Sequence, residues 1–151
     1  MCIIMSNDLK NIRETAEKYY RDGDFFCSEA IVKTLKDEFM KELSDDVVKM
    51  ASGFPVGIGR AGCTCGALTG GILVLGMIFG RSEARGEESA KVLELSKELY
   101  DKFTDMNKCT CCKVLTKGMV KGSKEHKDQC VRFTGEMAEE TAKIIIREKE
   151  L

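Results

Sequence analysis

The chain has 151 residues, 43% hydrophobic and 32% charged, with 24 Lys and Arg against 25 Asp and Glu and a formal net charge of -1. That length holds one domain, residues 1–151, and the composition belongs to a packed globule rather than a disordered or fibrous chain. The near-neutral charge excludes a field that would gather polyanions, and the one lysine-rich stretch, residues 113–127, is broken by Glu125 and followed by Asp128. It reads as solvated surface, so no nucleic-acid partner is expected.

Met1 to Met5 are apolar, but Asp8 and Lys10 follow too soon for a secretory signal core, so a cytoplasmic location is expected. Leu9, Ile12, Ala16, Tyr19 and Tyr20 share one face of a first helix that Ser6 or Asn7 can cap and Asp22-Gly23 ends. A second apolar stripe, Cys27, Ala30, Ile31, Leu35 and Phe39, sets Cys27 on a core-facing side, and Ser44 can cap a short third segment reaching Met50. Residues 63–80 carry no charge, yet Gly66, Gly70, Gly71, Gly76 and Gly80 interrupt them and the continuous apolar part is only 72–79. That predicts a buried core helix and no membrane span. Glycines at four-residue intervals let helices approach closely, within the monomer or across a homodimer. Val92, Leu95, Leu99, Phe103 and Met106 mark a long fifth helix. Cys130, Phe133, Thr134, Met137, Thr141, Ile144 and Ile145 recur at threes and fours, which puts Cys130 on the inner face of the last one. No segment alternates like a strand. The expected fold is all-α, a bundle of about five to seven helices around the glycine-rich one.

Eight cysteines are the anomaly of the composition. In a reducing compartment structural disulfides do not persist, so clustered thiols point to metal binding or redox chemistry. Gly57-Ile58-Gly59-Arg60-Ala61-Gly62 matches G-x-G-x-x-G, but a short helix precedes it where a dinucleotide site needs a strand, so it predicts a tight backbone turn. Cys63-Thr64-Cys65 lies where this loop becomes the buried helix, and a helix N-terminus is expected to lower a thiol pKa there. Cys63 could equally serve as a small apolar filler. Cys109-Thr110-Cys111-Cys112 packs three thiols into four residues, a set able to bind a soft metal or exchange disulfides. The only histidine, His126, sits one helical turn before Cys130 and could act on that thiol as base or ligand, or stay solvated among Lys124, Glu125, Lys127 and Asp128. Met1 and Cys2 read as a frayed terminus.

Ala51-Ser52-Gly53-Phe54, then the string from Gly57 through Cys63-Thr64-Cys65-Gly66-Ala67-Leu68-Thr69-Gly70-Gly71, resemble the signature of the C-GCAxxG-C-C family of redox-active proteins. Cys27-Ser28-Glu29-Ala30-Ile31 is similar to the family's first cysteine segment, Val74-Leu75-Gly76 and Gly80-Arg81 to its helix, Cys112-Lys113-Val114-Leu115-Thr116 to its third cysteine segment and Cys130 with Ala138 and Ile144 to its fourth. The resemblance implies that Cys27, Cys65, Cys112 and Cys130 are the functional set. Related domains occur in split-Soret cytochromes, where these cysteines are associated with an iron-sulfur cluster, so the resemblance implies a four-thiolate 2Fe-2S centre for electron transfer or redox sensing. No C-x-x-C-H motif is present, so haem does not carry over. Cys63, Cys109, Cys111 and His126 are further candidate metal donors, and which of Cys109, Cys111 and Cys112 would ligate stays open. Two other readings remain: a metal-free thiol-disulfide oxidoreductase with Cys65 and Cys112 as its reactive pair, and a structural zinc module. An unidentified redox partner protein is expected.

Overall fold

A computed structural model describes residues 6–151; the sequence reading of Met1 to Met5, Cys2 included, falls outside them. The elements are α1 (Ser6–Arg21), α2 (Cys27–Phe39), a 3-10 helix (Asp45–Ala51), α3 (Gly66–Phe79), α4 (Glu88–Asn107), α5 (Cys112–Leu115) and α6 (Lys124–Lys149). The described residues contain no strand, only an isolated bridge between Thr64 and Cys111. The fold is all-α, as the 3.6-residue periodicity requires.

Local chemistry places the ends. Glu29 accepts the Phe26 N–H at 2.9 Å, satisfying one of the amides left unpaired where α2 begins. Ser44 accepts the Asp46 N–H and starts the 3-10 helix, and Ser123 accepts the His126 N–H and starts α6. Lys108 closes α4 in the left-handed conformation at φ 68°.

Burial of apolar stripes assembles the bundle. α1 lies along α6, α2 packs on α3, and α3 also meets α4 and α6. Ile31 and Leu35 from α2, Leu68, Val74 and Leu75 from α3, Leu95, Leu99 and Phe103 from α4, and Met137, Ile144 and Ile145 from α6 are fully buried. Each such side chain removed from water contributes about 1.5–3 kcal/mol. Met106, counted on the α4 stripe, is exposed, so that stripe stops at Phe103.

Gly70 and Gly71 of α3 admit neighbouring helices of this chain. A Cβ on Gly70 would lie 2.9 Å from both Cα and the carbonyl oxygen of Ser28 in α2, and one on Gly71 would lie 2.5 Å from Thr141 Oγ1 and 2.7 Å from Leu99 Cδ2. Gly76, grouped with them in the sequence reading, faces open space and admits no neighbour. At 14 residues α3 is a core helix, and no helix among the described residues is long and apolar enough to cross a membrane.

Candidate functional site

Between α2 and α3 the chain makes the tight turn expected of the glycine string. Five successive residues take positive φ: Val56 (57°), Gly57 (66°), Ile58 (64°), Gly59 (57°) and Arg60 (70°). For the branched Val56 and Ile58 this conformation costs about 1–2 kcal/mol each, which the surrounding packing must offset. The turn brings the loop against α5, where a Cβ on Gly57 would lie 2.8 Å from Cys112 Cβ. With no strand among the described residues, nothing here provides the sheet that a dinucleotide fingerprint needs.

The same folding gathers four thiols. Cys27 opens α2, Cys65 precedes α3, Cys112 opens α5 and Cys130 lies in the second turn of α6. All four line one cavity of ≈ 620 Å³, together with Tyr20, Phe26, Phe133, Lys121, His126 and Lys127. Cys27 packs so closely on the start of α3 that a Cβ on Gly66 would collide with its sulfur. Gly66 is required there because only a residue without a side chain leaves room for that thiol.

The remaining sulfurs lie elsewhere. Cys63 is exposed rather than a core filler. Cys109 accepts the Cys111 N–H at 3.2 Å, and Cys111 donates its S–H to the Gly62 carbonyl at 3.1 Å. Of the three thiols crowded at the start of α5, Cys112 is the one that lines the cavity. His126 also faces it. Its Nδ1 accepts the Gly122 N–H at 3.4 Å, and Nε2 stands 4.0 Å from the Cys130 sulfur, a long contact. Among the described residues no group of three or more His, Cys, Asp or Glu is drawn tightly enough to hold a metal ion.

Electrostatics oppose ionisation in the bare site. Burial pushes the Cys27 thiol up to about 12, reinforced by Cys130 and only partly offset by the Ser28 and Val56 N–H groups. Cys65 moves in the same direction: burial dominates, Cys27 adds to it, and the Ala67 N–H at the start of α3 opposes it. The lowered pKa expected from the helix terminus is therefore reversed, because the loss of water outweighs the dipole. Cys112 is raised by burial and Cys111, with Lys121 pulling the other way. Cys130 is raised by burial, while the Tyr20 hydroxyl, acting as hydrogen-bond donor to its sulfur, opposes the rise. Tyr20 itself is pushed up, by burial first and then by Cys130. Lys121 and Lys127 line the cavity together with Asp24 and Glu29, so its lysines are matched in number by its carboxylates.

Tyr20 was legible in the sequence only as part of the α1 stripe, since a tyrosine at helical spacing reads as core. Nothing in its local pattern marks the sulfur it meets, which arrives from α6.

Residues 25–144 match the family model described as "Putative redox-active protein (C_GCAxxG_C_C)". No curated protein and no solved structure matches the chain.

Proposed function

Because the chain belongs to the C_GCAxxG_C_C family of redox-active proteins, we propose that Cys27, Cys65, Cys112 and Cys130 together hold an iron-sulfur cluster used for electron transfer or redox sensing. The observation that carries this reading is the cavity of ≈ 620 Å³ lined by four thiols from four separate segments. Soft thiolates suit iron-sulfur centres and hard cations poorly, so the donor set fits. The raised, deeply buried Cys65 thiol weighs against that cysteine as the first nucleophile of a metal-free oxidoreductase, since a protonated thiol is a poor nucleophile.

When bound, such a cluster would supply one-electron transfer at potentials set by hydrogen bonding and burial. The chain's own residues do the rest. Gly66 leaves room for the Cys27 sulfur, and Tyr20 presents a donor to the Cys130 sulfur. Phe26 and Phe133 line the cavity with apolar surface that lowers the local dielectric. The test is anaerobic purification with iron, acid-labile sulfide and visible-absorption measurements. Two irons and two sulfides per chain with broad visible absorption are expected. Colourless protein with neither, after reconstitution, overturns the reading, and one zinc per chain without iron selects the structural alternative.

A further inference from the structure

Cys63 is an exposed thiol whose place relative to the cavity is fixed by backbone hydrogen bonds. Thr64 and Cys111 form an antiparallel bridge, the Cys65 N–H donates to the Thr110 carbonyl at 2.8 Å, and the Cys112 N–H donates to the Cys63 carbonyl at 2.5 Å. The register of this isolated bridge sets the Cys63 backbone opposite that of Cys112, the residue that opens α5. One backbone hydrogen bond joins the two residues, and residues opposed across such a bond have Cα atoms about 5.5 Å apart. That separation lies inside the window of about 4.4–6.8 Å that a disulfide spans. Gly57 packs against both cysteines: its carbonyl accepts the Cys63 N–H at 2.9 Å, and a Cβ on it would lie 2.8 Å from Cys112 Cβ. Lacking a side chain, Gly57 puts none of its own between them. Cys111 is directed instead to the Gly62 carbonyl, and Cys109 to the Cys111 amide. Cys112 thus has one neighbour set in the cavity and another, Cys63, reachable from solvent.

We propose that Cys63 and Cys112 form a site of reversible oxidative modification, in which a small-molecule disulfide converts them to an intramolecular disulfide and withdraws Cys112 from the cavity. Cys63, as thiolate, attacks one sulfur of the external disulfide, breaks its S–S bond and releases one thiol. Cys112 then attacks the Cys63 sulfur, forming the intramolecular S–S bond and releasing the second thiol. The two cysteine protons end on the two released thiols, and the electron pair lost by the cysteines reduces the external disulfide. The consequence for the four-thiol centre rests on the function proposed above, whereas the disulfide itself does not.

The test treats the reduced, metal-free chain with oxidised glutathione and maps peptides without reduction. The expected product joins the Cys63 and Cys112 peptides with the loss of two hydrogens; Cys63→Ser abolishes it, and Cys109→Ser and Cys111→Ser retain it. Cys112 bonded to Cys65, Cys109, Cys111 or Cys130 instead, or glutathione left unresolved on Cys63, overturns the proposal. Iron uptake then reads the gate. Oxidised wild type should take up no iron until a dithiol reductant restores it, while oxidant-treated Cys63→Ser takes it up throughout. Equal uptake by oxidised and reduced wild type overturns the gate. Iron refused by both, with the disulfide mapped as expected, counts against the iron-sulfur reading and leaves the disulfide standing.

Discussion

Gly70→Ala tests whether close approach of α2 and α3 builds the site. Helix propensity alone favours alanine by about 1 kcal/mol. The new methyl, however, would lie 2.9 Å from Ser28 Cα and 2.9 Å from its carbonyl oxygen, and 3.3 Å from Ile31 Cβ. Two of these are backbone atoms of a neighbouring helix, which cannot rotate aside, so a cost near the upper end of the usual overpacking range, about 3 kcal/mol, applies. The net loss is about 2 kcal/mol, which for a chain of this length lowers the melting temperature by roughly 4–8 °C. Gly76→Ala is the control: it sits on the same helix, a Cβ there meets nothing within 4 Å, and it should gain up to about 1 kcal/mol. Since α2 carries Cys27 and α3 follows Cys65, Gly70→Ala should also hasten alkylation of those two thiols. The assay is thermal unfolding of the reduced, metal-free chain by circular dichroism. A Gly70→Ala protein that melts at or above Gly76→Ala would refute the packing argument.

Other expectations concern the thiols. Burial holds Cys27 at about 12 in the folded chain, against about 8.5 for an unfolded cysteine, so the unfolded state loses its proton first. The stability this thiol contributes is therefore complete below about pH 8.5 and is lost as the pH rises toward 12. Urea unfolding of the reduced chain at pH 8 and pH 10.5 should show the decline, to which Cys65, Cys112 and Cys130 also contribute, and Cys27→Ala should make it smaller; a decline as large in Cys27→Ala as in wild type would refute the attribution. Tyr20→Phe removes the donor that holds Cys130 down, so Cys130 should alkylate more slowly at pH 8, with exposed Cys63 as internal reference. An unchanged Cys130 rate would show that the hydroxyl does not act on that sulfur. In wild type at the same pH, Cys63 should react first and buried Cys65 last, as read by timed quenching and peptide mapping.

The bundle was legible because its signals are local. The α6 stripe from Phe133 to Ile145 and the α4 stripe from Leu95 to Phe103 are periodic over several turns, and the structure buries both. The close fit of Gly70 and Gly71 was legible as a device, but not its partners, since Ser28, Leu99 and Thr141 come from three other helices. Gly76 shows the limit of the pattern: the same spacing continues past the covered face of α3 into open space. The direction of the Cys65 shift was not legible, because a helix N-terminus is visible in sequence and the depth of burial is not. The same holds for Tyr20 and for the opposition of Cys63 to Cys112. Tyr20 meets Cys130 only when α6 packs along α1, and Cys63 meets the Cys112 backbone only when the glycine turn folds back on the start of α5.

The central claim is that Cys27, Cys65, Cys112 and Cys130 form one centre while Cys63, Cys109 and Cys111 stand outside it. The most direct measurement is iron and acid-labile sulfide bound per chain, after anaerobic reconstitution, in seven single cysteine-to-serine variants whose folding is verified by circular dichroism. The account predicts that each of the four cavity variants loses most of the bound iron and sulfide, while Cys63→Ser, Cys109→Ser and Cys111→Ser keep wild-type amounts. Full retention in any cavity variant, or loss in Cys109→Ser or Cys111→Ser equal to that in Cys112→Ser, would contradict it.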